Sequence, residues 1–267
     1  MNLFQRSFHL SQFIFPNGGA CLEFGVFRGG TYAYQAEHII RRYPNSTLIG
    51  FDSWEGLPPE TDGVWTADRH AVGKYAAPKA EVKSKLDALG IKEGDPRFRL
   101  VDGFYSDSLT PEVAASCGPL AYVNIDVDIH SSTVEVLEFI GPILRPGVIL
   151  YWDDWKDPRD QADGAWGEHY AWEQWSPKQA GLEVETIEVN PLEQRSMLVT
   201  AAHGKTLESE NLPTVTQIRY QAQAIVEDPV KALKPRSDNE GMTALKRQLR
   251  TLPVVGTVVK SLRDRKG

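Results

Sequence analysis

Short runs of apolar and β-branched residues alternate along this chain with stretches of helical spacing. Residues 20–25 (ACLEFG), 47–52 (TLIGFD), 98–102 (FRLVD), 120–126 (LAYVNID) and 148–153 (VILYWD) are predicted strands. Near-continuous apolar runs of this length, bounded by turn residues, fit strands covered on both faces. Helices are predicted over 32–42, 82–89 and 132–144, the first ended by Pro44 and the third by Pro146-Gly147. Residues 182–189 and 196–201 read as a closing antiparallel pair. Strands separated by crossover helices imply an α/β fold, with a mostly parallel sheet and helices on both faces. No internal repeat is present.

Two segments break the alternation. Residues 54–80 hold Gly56, Pro58, Pro59, Gly63 and Pro78, with Trp54, Trp65 and Tyr75 among them; residues 155–175 are dense in Trp and Tyr. Both are expected to be irregular, lid-like inserts, since loops this long inside a compact domain are usually functional. The pattern places a main domain over 1–206 and a helical extension over 207–267. The extension ends in a basic segment: residues 246–266 carry seven Lys or Arg against one acid, Asp264. A plain surface helix is the simpler reading of it, with docking on an anionic membrane interface or a partner as the alternative.

Composition narrows the function classes. A net charge of −7 over 267 residues argues against nucleic acid as the main partner. Cys21 and Cys117 each lie in or beside an apolar stretch and are expected to be buried reduced thiols. The amphipathic N-terminal stretch has no apolar core with a cleavage site, and no run approaches the ~20 residues of a membrane span. A cytoplasmic protein is therefore expected, and a homo-oligomer is compatible with the pattern.

In an open parallel sheet ligands bind beyond the carboxyl ends of the strands. Here those ends are Glu23-Phe24-Gly25, Asp52, Asp102-Gly103, Asp126 and Asp153-Asp154, so each strand brings a carboxylate or a glycine turn to one edge. Gly25, Gly29 and Gly30 precede a helix, where free N–H groups can meet an anionic ligand. Their spacing is not GxGxxG. Asp52 follows Gly30 by 22 positions and can accept hydrogen bonds from a ribose, as found in both NAD and S-adenosylmethionine; it can also simply cap the turn before Glu55-Gly56. Asp126, Asp153 and Asp154 end neighbouring strands, and three like charges there need a compensating cation. Hard oxygen ligands suit Mg²⁺ or Mn²⁺; the alternative is two helix-capping aspartates and a solvated third. Asp128, two residues past Asp126, is placed to accept a proton from an acidified hydroxyl. Ser131 and Ser132 are the expected caps of the following helix, and His130 is the second candidate base.

The motifs EFGVFRGGT (23–31), FDSWEGLP (51–58), DVDIHSST (126–133) and RPGVILYWDDW (145–155) together resemble the TylF/MycF/NovP family of metal-dependent sugar O-methyltransferases, which act on macrolide and aminocoumarin antibiotics. The resemblance runs over about residues 15–200 and implies a class I, Rossmann-like methyltransferase fold. It implies Asp126, Asp153 and Asp154 as metal ligands and Asp128 as general base. It further implies Glu23, Gly25 and Thr31 around the methionine part of S-adenosylmethionine, with Gly29, Gly30 and Ser53 as further cofactor-binding residues. Asp52 would meet its ribose, and Asp102, Gly103 and Phe104 its adenine side. His130 stands where the family usually has Tyr. The expected activity is methylation of a hydroxyl on a sugar or glycosylated small molecule, assisted by Mg²⁺ or Mn²⁺. Two other readings stand beside it: a nucleotide-cofactor oxidoreductase, which leaves the acid triad idle, and a catalytically silent partner in a glycan-assembly complex.

Overall fold

A computed structural model describes residues 1–60, 70–155 and 167–229, all within one compact unit, Met1–Ala232. The basic C-terminal segment, Trp65 and Trp166 lie outside the described residues. Five strands run parallel: β1 (Ala20–Phe24), β2 (Thr47–Asp52), β3 (Phe98–Asp102), β4 (Leu120–Ile125) and β5 (Ile149–Trp152). Antiparallel β6 (Glu183–Val189) and β7 (Arg195–Ala202) complete the order β3-β2-β1-β4-β5-β7-β6, and the short β8 (Lys205–Thr206) pairs with β7. The expected mostly parallel α/β sheet with its closing pair is present. The chain reverses its direction of winding between β1 and β4, which sit side by side at the centre. That is where such sheets form a ligand crevice.

Every residue of β1 and β4 is buried, which accounts for apolar runs without alternation. On one face Leu22, Phe24, Phe51, Val123, Ile125, Phe139 and Trp152 form a continuous core, with the Phe24 and Phe51 rings stacked at 4.7 Å. Rings of this size stabilise by about 1.5–3 kcal/mol each when fully buried. The opposite face is covered by α1 (Leu3–Ile14), whose Phe4 and Phe8 meet Tyr122 edge-on. Asn2 and Gln5 close a capping box at its start. Beside it lies α2 (Gly30–Arg42). Cys21 and Cys117 are buried free thiols, as expected.

Several element bounds differ from the sequence pattern. Helix α2 begins two residues earlier than predicted, because Gly29 takes a left-handed φ of 71° and serves as its N-cap. Helix α3 (Lys79–Ala88) likewise starts before Val82, after Pro78. Two short helices, α4 (Tyr105–Ser108) and α5 (Pro111–Ser116), fill the β3–β4 connection. Helix α6 spans His130–Ile140 and gives way to a 3₁₀ turn before Leu144. Neither Ser131 nor Ser132 caps it: both lie inside the helix, whose N-cap is Ile129. The second insert is not irregular throughout, since α7 (Gly167–Trp175) occupies its C-terminal part. Helix α8 (Val215–Glu227) packs on α1, so the compact unit includes residues that the pattern assigned to the extension. Among the described residues no helix is long and apolar enough to cross a membrane.

Candidate functional site

The carboxyl ends of β1 to β5 enclose a cavity of about 330 Å³, within the range of small-molecule sites. Gly25 shapes its floor. Its φ is 84°, and a Cβ there would lie 1.8 Å from the Asp126 carbonyl oxygen, so only glycine lets the β1 end turn against the β4 end. Asp52 ties two turns together: its Oδ2 accepts from the Phe27 N–H and its Oδ1 from the Trp54 N–H, both at 2.7 Å. The turn-capping role weighed for Asp52 is therefore real, and the side chain also lines the cavity. Burial pushes its carboxyl upward, against the pull of those backbone donors.

Gly25, Asp52, Ser53, Gly103 and Phe104 line the cavity together with Asp126, Asp128, Asp153 and Asp154. Other candidates do not reach it. Glu23 lies fully buried behind the wall, accepting from Thr31 Oγ1 at 2.7 Å and from the Gln35 amide. Burial raises its carboxyl to about 8. Gly29 and Gly30 sit at the start of α2, away from the lining. Asp102 is turned outward, where it pairs with the Lys79 ammonium and accepts from Trp54 Nε1 at 2.9 Å. Partial burial works to raise Asp102, but the donors around it outweigh that and hold it low.

Register explains the acid cluster. Ile125 pairs with Trp152 across β4 and β5, so the next residues, Asp126 and Asp153, emerge side by side. One carboxylate oxygen from each of Asp126, Asp153 and Asp154 lies within 4.8 Å of the others. Burial, then the charges of Asp153, Asp154 and Asp128, drive the Asp126 carboxyl well above the usual carboxylate range. Donors from outside orient the set: Tyr151 OH reaches Asp153 Oδ1 at 2.6 Å and Gln194 donates to the same oxygen. Three crowded, partly buried hard-oxygen donors fit a divalent cation of the Mg²⁺ or Mn²⁺ type.

Asp128 faces the same cavity from a left-handed backbone conformation, φ 61°, uncommon for a non-glycine residue and typical of functional positions. Behind it, buried His70 places Nε2 3.1 Å from Asp128 Oδ1. His130 does not line the cavity. It points to α7, with Nε2 3.0 Å from Gln174 Oε1 and its ring 5.3 Å from that of Tyr170.

Sequence reasoning missed three residues here. His70 and Glu60 both come from the first insert, which has no periodicity to place them. Glu60 Oε2 accepts from the Ser131 N–H at 3.1 Å and so supplies the α6 N-terminus with an acceptor from 71 positions away. Glu168, fully buried on α7, accepts from Val127 N–H at 3.2 Å and Asp154 N–H at 3.1 Å. Burial, then Asp154 and Asp126, push its carboxyl well above the ordinary range. A signal for it existed: Glu168, Ala171 and Trp175 share one helical stripe, an acid within an otherwise apolar face.

A curated relative from Streptomyces olivaceus, 8-demethyl-8-(2,3-dimethoxy-alpha-L-rhamnosyl)-tetracenomycin-C 4'-O-methyltransferase, is 30% identical over 149 residues. That match covers 51% of this chain and 53% of the relative, so the chain spans about half the length of the curated protein it matches. Among solved structures, the calicheamicin methyltransferase CalS11 superposes with a TM-score of 0.58 at 24% identity, over 73% of this chain and 77% of that one. The O-methyltransferase NovP gives 0.56 at 20% identity, over 73% and 78%; at these identities both speak for the fold. The model of the macrocin-O-methyltransferase (TylF) family matches residues 16–169, more than half of the chain and all of the cavity's parallel strand ends, and the chain belongs to that family.

Proposed function

We propose that this protein transfers the methyl group of S-adenosylmethionine to a hydroxyl of a sugar or glycosylated small molecule, with Mg²⁺ or Mn²⁺ as a helper ion. The observation that carries this reading is the position of the Asp126, Asp153 and Asp154 cluster in one cavity with Asp52 and Gly25. Neither an oxidoreductase nor a silent partner gives that cluster a task. When bound, S-adenosylmethionine would supply an electrophilic methyl, and a cation held by the three aspartates would supply Lewis acidity toward a neighbouring hydroxyl.

The chain's own residues then divide the work. Asp52 and Ser53 hold the ribose, Gly103 and Phe104 the adenine side, and Gly25 lets the methionine end approach the backbone. Glu23, Thr31, Gly29 and Gly30 shape that turn from behind, and Asp102 with Lys79 secures the β3 end. Asp128 accepts the hydroxyl proton as the oxygen–methyl bond forms and the sulfur–methyl bond breaks, leaving S-adenosylhomocysteine. Most of the acceleration comes from orientation and preset charge. Support for a sugar acceptor comes from the tetracenomycin relative, whose name places its methyl on a rhamnosyl group.

The test combines calorimetry with S-adenosylhomocysteine and a methyl-transfer assay on rhamnosylated aromatic acceptors. Binding of S-adenosylhomocysteine is expected, together with label transfer that EDTA abolishes and Mn²⁺ restores. Folded protein that ignores millimolar S-adenosylhomocysteine would end the methyltransferase reading. Full turnover in EDTA would end the metal assignment alone.

A further inference from the structure

We propose that Glu168 is a positioning residue for the cation site, its carboxylate fixing the separation of the two strand ends that carry Asp126 and Asp153-Asp154. The inference rests on the cation reading above. One side chain makes two bonds to two different strands: Oε1 takes the N–H of Val127, the residue after Asp126, and Oε2 takes the N–H of Asp154 itself. The ends of β4 and β5 are thereby clamped to a single rigid group just where their regular pairing at Ile125 and Trp152 stops.

Chemistry explains why an acid fills this position although three aspartates already crowd it. A fully buried residue cannot lean on water, and two converging N–H donors need two acceptor oxygens. A carboxylate has both. The isosteric Gln has one, and its NH₂ would face the second N–H donor to donor. Stability alone would disfavour a further acid beside Asp154 and Asp126; the bidentate geometry is what only an acid provides. Helix α7 delivers the side chain to this point. It starts at Gly167 with φ 71° and packs along α6, and a Cβ on Gly167 would lie 3.5 Å from the Asp128 carbonyl oxygen. The second insert thus reaches the metal half of the site through its helix, whatever its aromatic rings do elsewhere.

The experiment is Mn²⁺ titration of the full chain, read by the EPR signal of free Mn²⁺, with S-adenosylhomocysteine affinity and Tm measured alongside. Glu168→Gln should weaken Mn²⁺ binding by about 10–100-fold, the usual effect of losing an outer partner of metal ligands. Its S-adenosylhomocysteine affinity should be nearly unchanged, since Glu168 is not among the residues that line the cavity. Glu168→Asp, which is too short to span both donors, should fall between them and serves if the Gln variant does not fold. Trp172→Ala is the control for general loosening of α7, since that ring packs on Trp152, Trp155 and Trp175. If Trp172→Ala weakens Mn²⁺ as much as Glu168→Gln does, the effect is ordinary destabilisation and the inference falls. Wild-type Mn²⁺ affinity in Glu168→Gln overturns it while leaving the cation reading intact. Absence of Mn²⁺ binding by the wild type overturns the cation reading and this inference with it.

Discussion

Asp128 holds a backbone conformation that costs a non-glycine residue about 1–3 kcal/mol, and it adds a fourth charge to the acid cluster. Both features are explained if the carboxylate is there to take a proton. Asp128→Asn keeps size and shape, and should cut kcat by ~10²–10⁴-fold with S-adenosylhomocysteine and Mn²⁺ binding nearly intact. Asn tolerates the left-handed region better and removes one like charge, so this variant should melt no lower than wild type in EDTA. Near-normal kcat would move the base elsewhere. Asp126→Asn should instead lose Mn²⁺ affinity. Glu23 makes a different residue-level prediction. Its folded-state value of about 8 exceeds the ordinary 4.3 or so of an unfolded glutamate. The stabilisation it contributes is therefore complete below about pH 4.3 and lost as pH rises through about 8. Relative to Glu23→Gln, wild-type stability should fall between pH 5 and 8 by up to ~1.4 kcal/mol per pH unit. Chemical denaturation of both proteins across that range measures it; parallel curves would mean that Glu23 does not titrate there.

At the scale of elements, what was legible in the sequence is what depends on burial and order. Strand ends could be read because runs such as LAYVNI are buried throughout, and the acids that follow them must then collect at one edge. Helix starts could not, because long-range contacts set them: Glu60 replaces the expected serine cap of α6, and a left-handed Gly29 starts α2 early. Helix α7 was hidden by Gly and aromatic residues whose burial depends on the core they join. The pair of glycines at the start of α2 shows how neighbours of one type differ. A Cβ on Gly29 would meet Val82 at 2.9 Å at φ 71°, whereas one on Gly30 has nothing within 4 Å. Gly29→Ala should lower stability by about 1–3 kcal/mol, from strain and the clash together. Gly30→Ala should be neutral or stabilise by up to ~1 kcal/mol. Equal melting temperatures for the two variants would contradict the turn geometry.

For the whole molecule, the sheet order concentrates negative charge. The chain carries a net −7, and the β4 and β5 ends bring Asp126, Asp128, Asp153 and Asp154 to one cavity, with Glu168 buried behind them. Without a cation this arrangement works against folding, because like charges in a partly dry site repel more strongly than they do in water. A cation bound only by the folded state must therefore stabilise the entire domain, by RT ln(1 + [M]/Kd), or about 2.7 kcal/mol at a hundredfold excess over Kd. In a domain of this size each kcal/mol moves Tm by roughly 2–4 °C, so saturating Mn²⁺ should raise it by about 5–10 °C over EDTA. Replacing Asp126, Asp153 and Asp154 together by Asn separates the two halves of this argument. The triple variant should melt above wild type in EDTA, since the repulsion is gone, and should not respond to Mn²⁺ at all. Scanning calorimetry of both proteins in EDTA and in Mn²⁺ decides the matter. A wild type that melts at the same temperature in both conditions has no cation to gather these acids around. A triple variant that melts well below it in EDTA would show instead that the carboxylates hold the strand ends together by hydrogen bonding.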